Sequence, residues 1–446
     1  MHRYIIIIIL LFTVNLSAQE TKVISLQAAK DMALQQNQNF QGEKAALEAA
    51  KWNKTSAMSS FLPSLSLAGT LLYMDPARTI PAGGQDITMN KDQRSIALNL
   101  SQPLFMGGRL YQSYKIASAS AQMASLGLEM QELQLKAEVE AKYYAVLQLK
   151  DIFEIASREL EQAAQNLAVA DLKLETGILS RADHLRFQAS LANKDIALLQ
   201  AETAYDLALR AFMNFLGADE PLLPEAIALD KTEIQLLIDL DKEAIQGFKD
   251  RAYDLAQKNN QSLKILDKGV EISQRAQKIA NAAFWPSLTL VGTRSYAEDG
   301  IDRYEFETSN QIMLNLSVPL LPQVGNYAKS RKAYYEAQQT AFNAESAKDG
   351  IDLGLEAAAI NLINSARAVQ NAQLSLNITE EMYAQISERF RVNMISTMEL
   401  MDAELMVSAS RMAHARAYYD FLKARLNLLS LMGSQDEELL STIFTR

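Results

Sequence analysis

Two kinds of hydrophobic pattern alternate along the chain. Four short segments, residues 64–74, 94–102, 287–297 and 306–318, each contain a stretch in which apolar residues alternate with other residues. The alternate positions carry mainly Ser, Thr, Ala and Asn. A period of two with one apolar face predicts four β-strands. Prolines stand at the boundaries of these strands, and Pro103 marks the predicted end of the second.

Long segments between the strands repeat every seven residues instead. The first series of apolar positions is Val139, Val146, Phe153, Leu160, Leu167 and Leu174, and the second is Leu355, Leu362, Val369, Leu376, Tyr383 and Phe390. Smaller residues recur beside them, as in a coiled coil whose helices approach closely. Proline is absent from 104–220 and 323–446, so the pattern predicts uninterrupted helices, the first about 100 Å long at 1.5 Å per residue.

Each heptad run ends at a residue suited to a tight turn. Gly177 and Asn393 favour the left-handed conformation that ends a helix. Ser180 and Ser396 follow as predicted N-caps, each with an acidic residue three positions later. The sequence therefore predicts two helical hairpins, over 107–217 and 323–433, each with a tight tip.

The chain contains an internal repeat. Residues 61–70 recur as 284–293 with seven of ten positions identical, and 98–104 recur as 314–320. We therefore predict two copies of one strand-and-helix unit, 19–239 and 240–446. The first copy ends in an irregular segment, 218–239, and the second in a C-terminal tail, 434–446.

Composition and the N-terminus narrow the class of protein. Residues 1–18 combine Arg3, an apolar run and a small-residue cleavage site, which predicts a signal peptide and export. The chain has no Cys, only three His and a formal net charge of -10. It lacks phosphate-loop, HExxH and GxSxG motifs. We therefore expect no catalytic residues, no cofactor, no metal site and no nucleic-acid partner.

A sheet of four amphipathic strands has open edges, and the unpaired backbone donors and acceptors of such edges are unfavourable in lipid. Eight strands from two chains would be filled by side chains, whereas twelve from three chains would leave an open lumen. The predicted fold class is therefore mainly α with a transmembrane β-barrel, in which a trimer shares twelve strands, four per chain. Two alternatives remain: a soluble α+β protein, and a non-conducting periplasmic coiled-coil scaffold.

The order of these motifs resembles that of the TolC-like outer membrane efflux protein family. The resemblance rests on the duplicated strands beginning at Pro63 and Pro286, on paired helical entries at Ala33 and Ala256, and on the two hairpin tips. It implies a homotrimeric channel-tunnel in the bacterial outer membrane, with a helical tunnel in the periplasm. It also implies two partners, a periplasmic adaptor and an inner membrane transporter, in an efflux or type I secretion system.

The resemblance also implies roles for residues at the tips. The adaptor-docking residues would be Gly177, Ile178, Leu179 and Ser180 in the first tip, and Asn393, Met394, Ile395 and Ser396 in the second. An acidic periplasmic gate would use Glu399 and Asp402, with Asp183 from the first hairpin. The polar lock of that family is not matched, because Phe390 and Ile395 stand at its positions. For Glu399 a capping role, and for Asp402 a solvated position, remain alternatives.

Overall fold

The computed structural model describes residues 22–218, 222–227, 231–298, 305–320 and 324–435. The predicted signal peptide, 1–18, lies outside the described residues, as does most of the predicted tail.

The four predicted strands and the two long helical hairpins follow one another in the predicted order, and the described residues also form short strands and a helix that the patterns did not predict. The described strands are β1 (Lys22–Ile24), β2 (Ser64–Tyr73), β3 (Thr79–Ala82), β4 (Gln85–Thr88), β5 (Asp92–Met106), β6 (Leu222–Pro224), β7 (Ser287–Glu298) and β8 (Phe306–Ser317). The described helices are α1 (Leu26–Gln36), α2 (Gln38–Ser59), α3 (Arg109–Glu175), α4 (Arg181–Leu216), α5 (Lys231–Ile238), α6 (Lys242–Asn259), α7 (Gln261–Asn281), α8 (Val324–Arg391) and α9 (Thr397–Leu431).

The chain forms two compact units. The first takes described residues up to Asn37 together with Glu138–Ile234 and Arg367–Lys423, and the second takes the remaining described residues. Each unit therefore draws on both sequence repeats, so the units do not coincide with the repeats 19–239 and 240–446.

The second unit contains an antiparallel sheet in the order β2-β5-β7-β8. The central pair, β5 and β7, joins the two sequence repeats. Leu65 pairs with Leu100, Leu100 with Gly292, and Gly292 with Ile312. Directly paired residues lie on one face of a sheet, so the apolar positions of all four strands share a single face.

The two faces of the sheet differ in chemistry. On the apolar face Leu67 is 73% exposed and Ile312 is 84% exposed, so the chain itself leaves this face uncovered. On the other face the Thr293 hydroxyl donates to Asn99 Oδ1 at 3.0 Å. The hydroxyls of Ser295 and Ser309 lie 2.7 Å apart on the same face.

The prediction that Pro103 ends the second strand is wrong. β5 continues to Met106, and its pairing with β7 shifts register between Pro103 and Phe105. Proline has no backbone N–H to donate to a neighbouring strand. At a register shift one residue is left out of the ladder, so no hydrogen bond from the proline is required there. After the shift Phe105 pairs with Leu288, so the apolar face continues.

The outer strands of this sheet have free edges. β2 pairs with β5 alone and β8 pairs with β7 alone, within the ranges that the structure describes. An unpaired edge presents a row of backbone donors and acceptors that another strand can bind.

The first unit is built mainly from the two helical hairpins. Of the predicted heptad positions, Val139, Val146, Tyr383 and Phe390 are buried, and the small residue Ala170 beside them is fully buried. Repeated large and small apolar residues thus form the contacts between helices, as a coiled-coil pattern requires.

The prediction of an irregular segment at 218–239 is wrong in part. β6 pairs in parallel with β1, and α5 follows at Lys231–Ile238. The Tyr143 hydroxyl donates to the carbonyl oxygens of Ile24 at 3.0 Å and Glu225 at 2.8 Å, which links both segments to α3. Three-residue strands are too short to show a period of two, and their pairing depends on residues far apart in the chain.

None of the helices that the structure describes has a stretch both long and apolar enough to cross a membrane.

Candidate functional site: the hairpin tips

The first tip, 176–180, is a compact turn between α3 and α4. Gly177 has a φ of 73°, a backbone conformation that glycine adopts without strain. Its N–H donates to Leu174 O at 3.0 Å, and the N–H of Ile178 donates to Lys173 O at 2.9 Å. The Ser180 hydroxyl then accepts from the N–H of Asp183 at 3.1 Å and caps α4. The predicted glycine turn and N-cap are both confirmed.

The second tip, 392–396, repeats this geometry with an asparagine. Asn393 has a φ of 66°, and the N–H of Met394 donates to Arg389 O at 2.8 Å. The Ser396 hydroxyl accepts from the N–H of Glu399 at 3.3 Å. In return, the N–H of Ser396 donates to Glu399 Oε2 at 2.8 Å. These reciprocal bonds are a capping box, so Glu399 does have the helix-capping role.

An apolar core lies beneath the two tips and joins the hairpins. Its buried members are Ala170, Phe187, Tyr383, Phe390, Leu400, Ala403 and Val407. Phe187 and Phe390 contact each other with ring centroids 5.6 Å apart. Leu179 and Ile395, one from each tip, pack against this core, so the turns are anchored by apolar side chains that point inward.

Lys173 of α3 links the first hairpin to the second tip. Its Nζ donates to the carbonyl of Phe390 and, at 2.6 Å, to Asn393 Oδ1. The same ammonium lies 4.0 Å from the centroid of the Phe390 ring. Burial lowers the pKa of Lys173. A cation at the C-terminus of α8 also complements the helix dipole, so Lys173 stabilises the turn that Asn393 begins. Sequence patterns within one hairpin carry no signal for such a contact.

His184, one of the three histidines of the chain, is buried. Only 4% of it is exposed, and its Nε2 lies 2.5 Å from Asp171 Oδ1. The contact joins α4 to α3 just below the first tip. No group of three or more His, Asp or Glu side chains in the described part of the chain is arranged to bind a metal ion.

The three acidic residues of the predicted gate lie at the starts of α4 and α9. Asp183 accepts from the Ser180 hydroxyl at 2.6 Å and lies 3.5 Å from Arg186. Glu399 and Asp402 are both exposed, one turn apart on α9. Between these three side chains the described structure of a single chain shows no contact, so any ring of carboxylates would need further copies.

The surface of each tip is apolar. Ile178 is 57% exposed in the first tip, and Val392 and Met394 are 62% and 74% exposed in the second. Together with the backbone turns at Gly177 and Asn393, these side chains form two similar protruding surfaces of the first unit.

The duplicated strands, the helical hairpins and their paired tips define a class of protein. The sequence profile of the family described as outer membrane efflux protein matches residues 30–218 and 252–434. The chain belongs to this family. It is a transport protein of the bacterial outer membrane, and its helices lie in the periplasm.

Individual relatives match most of the length of the chain. The alkaline protease secretion protein AprF of Pseudomonas aeruginosa is 22% identical over 424 residues, which is 91% of this chain and 84% of AprF. Among solved structures, CusC matches with a TM-score of 0.78 at 16% identity, covering 93% of this chain and 94% of CusC. The CmeC outer membrane channel of Campylobacter jejuni matches with a TM-score of 0.77 at 15% identity, covering 94% and 88%. The two structures show that the fold is shared.

Proposed function

We propose that three copies of this chain form a channel-tunnel that acts as the passive exit duct of an efflux or type I secretion system. The observation that carries the proposal is the four-stranded sheet, which has one exposed apolar face and two free edges. If the edge of β2 in one copy pairs with the edge of β8 in the next, the backbone groups of both free edges gain hydrogen-bond partners. Three copies then give twelve strands with the apolar residues toward lipid and the small polar residues toward a lumen.

The second part of the proposal concerns partners. Ile178 and Met394 give the two tips similar exposed apolar surfaces, which suits docking of one repeated element of a periplasmic adaptor. The adaptor would connect the duct to an inner membrane transporter. The secretion function in the name of AprF supports an export system of this kind. In this proposal the chain itself carries out no catalysis.

Conductance tests the channel directly. Purified protein should form trimers that conduct ions across a planar bilayer. Monomers without conductance would refute the proposal and would leave the coiled-coil scaffold as the better interpretation.

A pair of adjacent substitutions separates the membrane-embedded sheet from a solvated one. Leu98→Arg changes the apolar face, whereas Ala97→Arg changes the opposite face of the same strand. Leu98→Arg should destabilise the assembled protein by up to about 2–4 kcal/mol, which is the cost of an Arg at the bilayer midplane. Ala97→Arg should have a much smaller effect because its side chain would reach the lumen. Thermal dissociation of the trimer measures both, and equal effects would argue against a lipid-facing apolar surface.

A further inference from the structure

A group of buried and half-buried polar side chains connects all four long helices of the first unit. We call it the hairpin polar cluster. Its members are Glu159 and Asn166 of α3, Lys194 of α4, Tyr383 of α8, and Glu404 and Ser408 of α9. Asn166 is 7% exposed and Glu404 is 8% exposed. The cluster is separate from the exposed acidic residues of the proposed gate.

Hydrogen bonds of the cluster join one hairpin to the other. Asn166 Nδ2 donates to the Tyr383 hydroxyl at 3.2 Å, and Lys194 Nζ donates to Ser408 Oγ at 3.4 Å. A third contact, the ion pair of Lys194 with Glu159 at 2.7 Å, lies within the first hairpin. Packing of the two hairpins is thus what completes the cluster.

The charges in this cluster do not balance. Lys194 is the one cation of the cluster, and it pairs with Glu159, which leaves Glu404 as a second buried carboxylate. The Oε1 atoms of both Glu159 and Glu404 lack a hydrogen-bond partner among the described residues. An unpaired buried charge is unfavourable, and protonation is the usual way in which a carboxylate avoids it. Burial raises the pKa of Glu404, while Lys194 and a hydrogen bond from Asn166 act in the opposite direction.

Other charged groups around Glu404 come from the same helices. Arg186 and Lys194 of α4 line a pocket together with Glu404. Arg391 of α8 and Arg411 of α9 act electrostatically on Tyr383, the neighbour of Glu404. The pocket opens to solvent, so a proton can reach Glu404 without unfolding of the hairpins.

We propose that the hairpin polar cluster is a proton-sensitive contact that controls how tightly the two hairpins pack. With Glu404 protonated, the cluster is neutral and the hairpins pack closely. With Glu404 ionised, the cluster holds one excess negative charge and the hairpins separate more easily. In the proposed duct, separation of the tips would widen the periplasmic end. This consequence for transport rests on the proposed function, whereas the proton-sensitive contact itself does not.

The direction of the pH effect follows from the raised pKa. When the hairpins are apart, Glu404 is solvated and titrates near its ordinary value of 4.5. When they are packed, it keeps its proton to higher pH. Packing is therefore most favourable below pH 4.5 and weakens as the pH rises through the raised pKa of the packed state.

Distances between the tips test the proposal in the full-length protein. The chain has no cysteine, so Ile178→Cys and Met394→Cys place one spin label on each tip without further changes. Assembly with an excess of unlabelled subunits keeps distances within one chain. Raising the pH from 4 to 8 should shift the distance distribution of the otherwise unchanged protein to longer values, and Glu404→Gln should abolish that shift. A shift that persists in Glu404→Gln would overturn the proposal, as would its absence from the parent protein.

Further variants keep the result interpretable. Lys194→Met should move the transition to higher pH, because it removes the cation that favours ionised Glu404; no movement would count against the cluster. His184→Gln alters a nearby titratable group outside the cluster and should keep the shift; its loss in this variant would assign the effect elsewhere. Bilayer conductance separates the two proposals. Tip separation in a protein that conducts no ions would refute the duct and leave the contact standing. Conductance that depends on pH while the tip distance stays constant would refute the contact and leave the duct standing.

Discussion

Lys173 shows how a single side chain can set the geometry of a distant turn. It lies on the first hairpin, yet its ammonium caps the carbonyl of Phe390 and the side chain of Asn393 in the second. The tip that Asn393 begins therefore depends on the packing of two segments that are far apart in sequence.

We expect Lys173→Met to destabilise the second tip by about 1–3 kcal/mol, because a buried carbonyl loses its donor. Hydrogen exchange of 392–396 should become faster, and the thermal midpoint of the protein should fall. Lys332→Met is a matched control, since the Lys332 side chain is 75% exposed and lies 3.5 Å from Glu336. That control should stay within about 0.5 kcal/mol of the parent protein. Equal effects of the two substitutions would show that the contacts of Lys173 contribute nothing.

At the residue scale, sequence could predict what is local. The left-handed turns at Gly177 and Asn393 and the caps at Ser180 and Ser396 depend on neighbours within a few positions, and all four are found. The contacts of His184 and Lys173 could not be predicted in this way, because each partner lies on a different helix.

At the scale of elements, the two tips differ in how their caps are built. Replacing Ser180 by Ala removes both bonds between Ser180 Oγ and Asp183. Replacing Ser396 by Ala leaves the bond from the Ser396 N–H to Glu399 Oε2 in place.

Both substitutions should destabilise, by about 0.5–2 kcal/mol, and Ser180→Ala should have the larger effect. Hydrogen exchange in the first turns of α4 and α9 measures each loss separately. Thr203→Ala, on an exposed position of α4, should leave both turns unchanged. A larger loss at Ser396 would contradict the hydrogen-bond pattern of the caps.

The strands and long helices follow from periodicity to within a few residues, with instructive exceptions. β5 continues past Pro103 because the pairing with β7 changes register there, so the missing N–H of proline breaks no ladder bond. The general preference of proline for strand ends does not predict this. β1 and β6 are three residues each, so only their pairing defines them.

At the scale of the whole molecule, the predicted acidic gate would require several copies of the chain, since no two of its carboxylates contact each other in the described part of one chain. Glu399 and Asp402 are exposed and a turn apart in each copy. In the proposed trimer, three copies would bring six carboxylates to one constriction, which would attract cations.

Because Glu399 also caps α9, a test of the gate should remove charge and keep the cap. The double variant Glu399→Gln with Asp402→Asn does so, since Gln can occupy this capping position. Its half-blocking concentration of a divalent cation should rise roughly tenfold, equivalent to about 1.4 kcal/mol. Glu381→Gln, an exposed position on α8, provides the control. Unchanged block of single-channel current in the double variant would remove the acidic gate from the proposal.

The duplication is readable from sequence, whereas the division into compact units is not. A repeat conserves the order of elements, but each unit collects segments from both copies because the long helices bring them together. Contacts between distant segments, rather than proximity along the chain, decide that division.

The pairing of β5 with β7 also constrains how the protein is made. Ser95 pairs with Ala297, so the centre of the sheet can form only after the long stretch of chain from β5 to β7 has been exported. Contacts between such distant residues slow folding, since a long loop must close before any bond forms. Before β7 pairs with β5, the β2–β5 hairpin has two unpaired edges. In this state the chain is most exposed to aggregation.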